Sequence, residues 1–123
     1  MKIHESAEDY LEQILMLKEQ KGSVRSIDIA VAMGFSKPSV SIAMKNLREN
    51  GYISVDADGF ITLEEPGMEI ARRIYDRHRK LTAFFVALGV DPDIAAHDAC
   101  KIEHDLSDET YSKMIAFAEQ YEK

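Results

Sequence analysis

Between Ser26 and Leu63 the chain runs through two short helical patterns split by a glycine and then changes to a strand-turn-strand pattern. Few folds accommodate that order. Ser26 stands directly before IDIAVAM and is expected to cap that helix, which Gly34 is expected to end. Ser36 is expected to cap KPSVSIAMKNLREN, with Pro38 in the first turn, where a missing N–H costs little. Gly51 is expected to close it. Then Tyr52–Val55 and Phe60–Leu63 read as strands around Asp56-Ala57-Asp58-Gly59, whose Asp-Gly step supplies the positive φ of a tight turn. Two helices joined by a turn and followed by a hairpin is the layout of a winged helix-turn-helix.

The flanks are helical. Tyr10, Ile14 and Leu17 recur at helical spacing, with Ser6 the expected cap and Gly22 the stop. A long helix is expected from about Pro66 to Leu88, with Ile70, Ile74, His78, Leu81, Phe85 and Leu88 on one seam. Asp91-Pro92 opens another helix, expected to reach about Asp105, and Ser107 caps a last one to about Glu122. The expected fold is mainly α: a winged helix-turn-helix over residues 1–71, then a helical unit over residues 72–123.

Charge is distributed unevenly. The 123 residues carry a formal net charge of −7, which read as a whole argues against nucleic acid. Yet residues 18–50 are basic, with Lys18, Lys21, Arg25, Lys37, Lys45 and Arg48 against Glu19, Asp28 and Glu49. A local phosphate-facing patch inside an acidic chain is consistent with this, as are ordinary solvated helix faces. The second helix of the pair favours the former. Lys37, Ser39 and Ser41 are small polar or cationic groups at its start, and Lys45 follows one turn on. The candidate DNA contacts are Arg25, Ser36, Lys37, Pro38, Ser39, Ser41, Ile42 and Lys45. Asp56 and Asp58 at the hairpin tip count against this, since they repel phosphate.

A second set of residues carries metal chemistry. Asp9 and Glu12 stand at i and i+3 of the first helix, and Cys100, Glu103 and His104 at i, i+3 and i+4 of the fifth, each set sharing one face. His78 interrupts the apolar seam of the long helix. Taken singly, each has an ordinary role: a helix cap, a solvated face, a hydrogen-bonded core histidine, a small buried thiol. Taken together, three carboxylates, two imidazoles and one thiol suit a first-row divalent ion such as Mn²⁺ or Fe²⁺, with Co²⁺, Ni²⁺ or Zn²⁺ as substitutes. The mixture is unlike a closed structural zinc site, which uses Cys and His. His97, one turn before Cys100, is read as a surface residue.

At these residues the chain resembles the metal-dependent transcriptional regulators typified by the diphtheria toxin repressor and the manganese transport regulator. AEDYLEQILML, KPSVSIAMKNLRENGYI, DGFITLEEPG, RHRKLTAFFVALGV and KIEHDLSDET carry the resemblance, which spans nearly the whole chain. It implies a winged-helix DNA-binding unit followed by a helical dimerisation unit. It also implies Asp9, Glu12, His78, Glu103 and His104 as ligands of the manganese-sensing kind. Cys100 departs from that branch, which usually has Glu there, and is closer to the iron-sensing branch; Thr82 departs from the iron branch, which has a Glu ligand. The chain stops at Lys123, so it is expected to be a short form without the small C-terminal SH3-like barrel.

The expected function is a homodimeric DNA-binding regulator activated by a divalent metal, a repressor of metal-uptake genes and not an enzyme. Its partners are a double-stranded operator and a second copy, with no membrane and no small organic substrate. The helices beyond position 66 carry more apolar surface (Phe84, Phe85, Val86, Leu88, Ile94, Met114, Ile115, Phe117) than one small winged domain should need to cover, which favours the dimer. MKIHESAEDY holds no apolar leader core, no run approaches a membrane span, and a single cysteine forms no internal disulfide, so a cytoplasmic location is expected. Two competing readings stand beside this one. A metal-independent winged-helix regulator leaves the ligand clusters unexplained. A small helical metalloenzyme needs an open coordination position and a substrate pocket, and no Gly-rich phosphate loop or acid/base pair beyond the ligands is visible.

Overall fold

A computed structural model describes residues 5–121, so the first residues of the stretch read for a leader, and Glu122 at the expected end of the last helix, lie outside the described residues. The chain divides into two compact units, with the boundary between Arg73 and Ile74.

The first unit begins with α1 (Glu5–Lys21), α2 (Ser26–Met33) and α3 (Lys37–Glu49), continues through β1 (Ile53–Val55) and β2 (Ile61–Leu63), and ends in the first turns of α4 (Glu65–Ala87). Apolar residues at helical spacing face inward: Leu11 and Ile14 of α1, Ile29 of α2, and Val40, Met44 and Leu47 of α3 are buried. The antiparallel hairpin pairs Ile53 with Leu63 and Val55 with Ile61, and buries Ile53, Ile61 and Leu63. The Ile61 N–H donates to the Val24 carbonyl oxygen at 2.8 Å, fastening the hairpin to the segment before α2. Gly67 packs so closely that a Cβ there would run into the Tyr52 carbonyl oxygen.

Three helix ends differ from the sequence expectation. Ser6 lies inside α1, not ahead of it. Arg25, not Ser26, caps α2, because the Asp28 carboxylate reaches back to accept the Arg25 N–H at 2.9 Å. The third difference is in the second unit, which holds the rest of α4, α5 (Pro92–Ile102) and α6 (Asp108–Tyr121). There α5 ends at Ile102, short of the expected Asp105, and residues 103–106 form a turn. Asp91 caps α5, accepting from the N–H groups of Asp93 and Ile94, and the Ser107 hydroxyl accepts from Thr110 N–H at the start of α6. Ile74, Leu81, Ala95 and Ala99 are buried in this unit.

Candidate metal-ligand cluster and DNA-reading face

In the second unit α4 presents Arg77 and His78 to the turn that follows α5. The Glu103 carboxylate is completely buried. Its Oε2 lies 3.0 Å from His78 Nδ1, and its Oε1 lies 3.4 Å from His104 Nε2 and accepts no hydrogen bond among the described residues. Burying a carboxylate away from water is costly unless cationic or hydrogen-bonding partners compensate. One buried carboxylate between two imidazoles is therefore a donor set that fits a divalent cation, and the turn brings His78, Glu103 and His104 together.

Arg77 builds this turn, and sequence reading missed it. The guanidinium is buried; its Nη1 donates to the carbonyl oxygens of Glu103 at 2.9 Å and Leu106 at 3.1 Å. Its Nη2 meets Asp108 at 2.7 Å, and the group lies 4.6 Å from the Tyr111 ring centroid. Burial first, then the nearby Asp76 charge, raises the Tyr111 hydroxyl above its ordinary pKa. The signal available in the sequence was position: Arg77 falls at i+3 from Ile74 on the stripe that continues to His78 and Leu81. A charged residue on a buried stripe marks a special contact.

The remaining ligand candidates sit as follows. Cys100 is exposed, one turn before Glu103 on α5, and His97 is exposed one turn earlier still. The Thr82 hydroxyl donates to the His78 carbonyl oxygen at 2.7 Å, a bond along its own helix. In the first unit Asp9 is half-buried and Glu12 buried, at i and i+3 of α1. Glu8 beside them pairs with Arg73 at 2.9 Å.

The candidate reading face is built by α3. Ser36 caps it, its Oγ accepting the Ser39 N–H at 3.3 Å and donating to Ser39 Oγ at 2.8 Å, while Pro38 lies in the first turn. With Val40, Met44 and Leu47 buried, Lys37, Ser39, Ser41, Ile42 and Lys45 are exposed. Arg25 lies 4.3 Å from the Phe60 ring centroid, a cation over an aromatic face between the start of α2 and the hairpin. Asp56, which reads as repulsive to phosphate, also has a structural task. Its Oδ1 accepts the N–H groups of Asp58 and Phe60, both at 2.9 Å, and shapes the tip that Gly59 completes at φ +86°.

Both halves of the chain match known family domains. Residues 2–59 match the iron-dependent repressor N-terminal DNA-binding domain, and residues 64–123 match the iron-dependent repressor metal-binding and dimerisation domain. An uncharacterised helix-turn-helix-type transcriptional regulator of Methanocaldococcus jannaschii is 36% identical over 119 residues, covering 95% of each chain. The transcriptional regulator MntR of Salmonella typhimurium is 34% identical over 117 residues, 95% of this chain and 74% of that one. A manganese-dependent transcriptional repressor solved in complex with manganese is 30% identical at a TM-score of 0.81, over 89% of this chain and 51% of that one. The manganese regulator SloR is 28% identical at a TM-score of 0.79, over 97% of this chain and 55% of that one. The chain thus spans about half the length of these solved structures. No helix among the described residues is long and apolar enough to cross a membrane. The chain belongs to the iron-dependent repressor family, metal-dependent transcriptional regulators rather than enzymes.

Proposed function

We propose that the protein is a homodimeric repressor that grips operator DNA when loaded with Mn²⁺ or Fe²⁺ and silences metal-uptake genes in the cytoplasm. The observation that carries this is the completely buried Glu103 carboxylate set between two imidazoles, on a chain whose other unit exposes a capped basic reading helix. The proposed ligands are Asp9 and Glu12 from the first unit and His78, Cys100, Glu103 and His104 from the second. A bound divalent cation supplies positive charge that neutralises the carboxylates and thiolate.

The residues do the rest. His78 and His104 offer imidazole nitrogens beside the Glu103 carboxylate, and Arg77 holds the turn that carries Glu103 and His104. Loading favours the arrangement that uses the most of these proposed ligands, and that arrangement is the one proposed to bind DNA. Moving a population from mostly inactive to mostly active takes a preference on the order of 5 kcal/mol. Val86, Leu88, Ile94 and Phe117, all exposed in the second unit, support the dimer. The division into a DNA-binding unit over 1–71 and a metal-binding and dimerisation unit over 72–123 is part of the same proposal.

The test is calorimetric titration of the metal-free protein with Mn²⁺, run with the parent and with Glu103→Gln. Saturable binding in the parent and its loss in the variant support the reading; equal binding by both overturns the ligand set.

A further inference from the structure

We infer that Ile42 reads a thymine methyl group in the major groove. This rests on the DNA-binding reading above and adds a specificity-determining residue to it.

Ile42 is two positions from both Val40 and Met44, so at about 100° per residue it lies roughly 200° around α3 from each. Those two side chains are buried, and Ile42 is 63% exposed. It therefore stands nearly opposite the core, on the stripe it shares with Pro38 and Lys45. It is also the sixth residue of a thirteen-residue helix, in the half that meets base edges when the second helix of a helix-turn-helix enters the groove. A lone exposed isoleucine is ordinary on a protein surface. Val31 on α2 is 76% exposed and supports nothing of the kind, because α2 is not the reading helix. Ile42 differs by standing on the outward side of the helix that does the reading.

The side chain limits what it can recognise. It has no donor or acceptor, so it cannot pair with guanine O6 and N7, adenine N6 and N7, or cytosine N4. The one apolar feature a base pair offers in the major groove is the thymine C5-methyl group. Closing the branched side chain over that methyl removes both from water. Ser41 and Lys45 on either side supply hydroxyl and ammonium donors for neighbouring bases or phosphates.

The experiment starts by selecting duplexes from a random pool with manganese-loaded protein. Each thymine of the selected half-site is then replaced in turn by deoxyuridine, which lacks only the methyl group. Affinities are measured for the parent and for Ile42→Ala, an exposed change that leaves the core intact. The expected result is one thymine per half-site at which deoxyuridine weakens the parent about threefold to fivefold, the worth of one buried methyl. Ile42→Ala should be indifferent at that position and keep the parent's response at every other. If deoxyuridine acts equally on both proteins at every position, or no thymine is selected, Ile42 does not read a methyl while DNA binding stands. If no duplex is enriched, the DNA-binding reading falls and this inference with it.

Discussion

The Arg77 guanidinium donates to the carbonyl oxygen of Glu103 at 2.9 Å, 26 positions along the chain. That bond shapes the turn on which the buried carboxylate and His104 sit, so the candidate ligands depend on a residue that binds no ion.

Two substitutions separate the parts of this contact. Arg77→Ala removes hydrogen bonds from a buried charged group and leaves two carbonyls to find other partners, at a cost of about 3 kcal/mol. Asp108→Ala removes only the most exposed partner, at 94% side-chain exposure, and should cost well under about 1 kcal/mol. Urea unfolding of both variants checks this. Arg77→Ala should also weaken Mn²⁺ binding at least tenfold, as loss of a ligand's supporting contact does.

Removing a proposed ligand should act on the metal response and not on the fold. Mn²⁺ should raise the parent's Tm, since an ion that binds only the folded state stabilises it by mass action. Glu103→Gln, nearly isosteric, should keep the metal-free far-UV circular dichroism spectrum and lose that rise. Cys100→Ser tests the thiol separately: if Cys100 is a ligand, preference between Mn²⁺ and softer ions such as Co²⁺ or Zn²⁺ shifts toward Mn²⁺.

The start of α2 should respond to acid. The backbone N–H of Arg25, and then the Lys21 ammonium, hold the Asp28 carboxyl below its usual range. A folded pKa below the unfolded one means the contribution is present above about pH 4 and lost as pH falls through the folded value. Asp28→Asn should therefore cost about 1 kcal/mol at neutral pH, a capping contribution, and progressively less as pH falls below about 4. Thermal unfolding of both proteins across that range gives the comparison.

Gly67→Ala should destabilise the first unit by about 2 kcal/mol or more. The added Cβ meets the Tyr52 carbonyl oxygen, a backbone atom that cannot rotate away. A Tm unchanged within a degree would contradict the close packing of α4 on the strand segment.

Much of this architecture was legible from punctuation in the chain. Gly34, Ser36-Lys37-Pro38 and Asp58-Gly59 mark local conformations, and the helix-turn-helix and hairpin follow from them. The ligand candidates were legible for the same reason, since i, i+3 and i+4 spacing is local geometry. What escaped depends on partners distant in sequence or on competition between neighbours. Ser26 lost the cap of α2 because Asp28 offered the Arg25 N–H a carboxylate. The end of α5 escaped because Arg77, on another helix, takes the Glu103 and Leu106 carbonyls. Asp56 looked like charge facing phosphate because its two N–H donors are invisible until the tip is folded.

The central claim, that a divalent ion switches DNA binding on, is tested most directly by titrating a selected, labelled duplex with the protein in Mn²⁺ and again in chelator at the same ionic strength. The account predicts strong binding with Mn²⁺ and a loss of several hundredfold or more, on the order of thousands, in chelator. Equal affinity in both would contradict it.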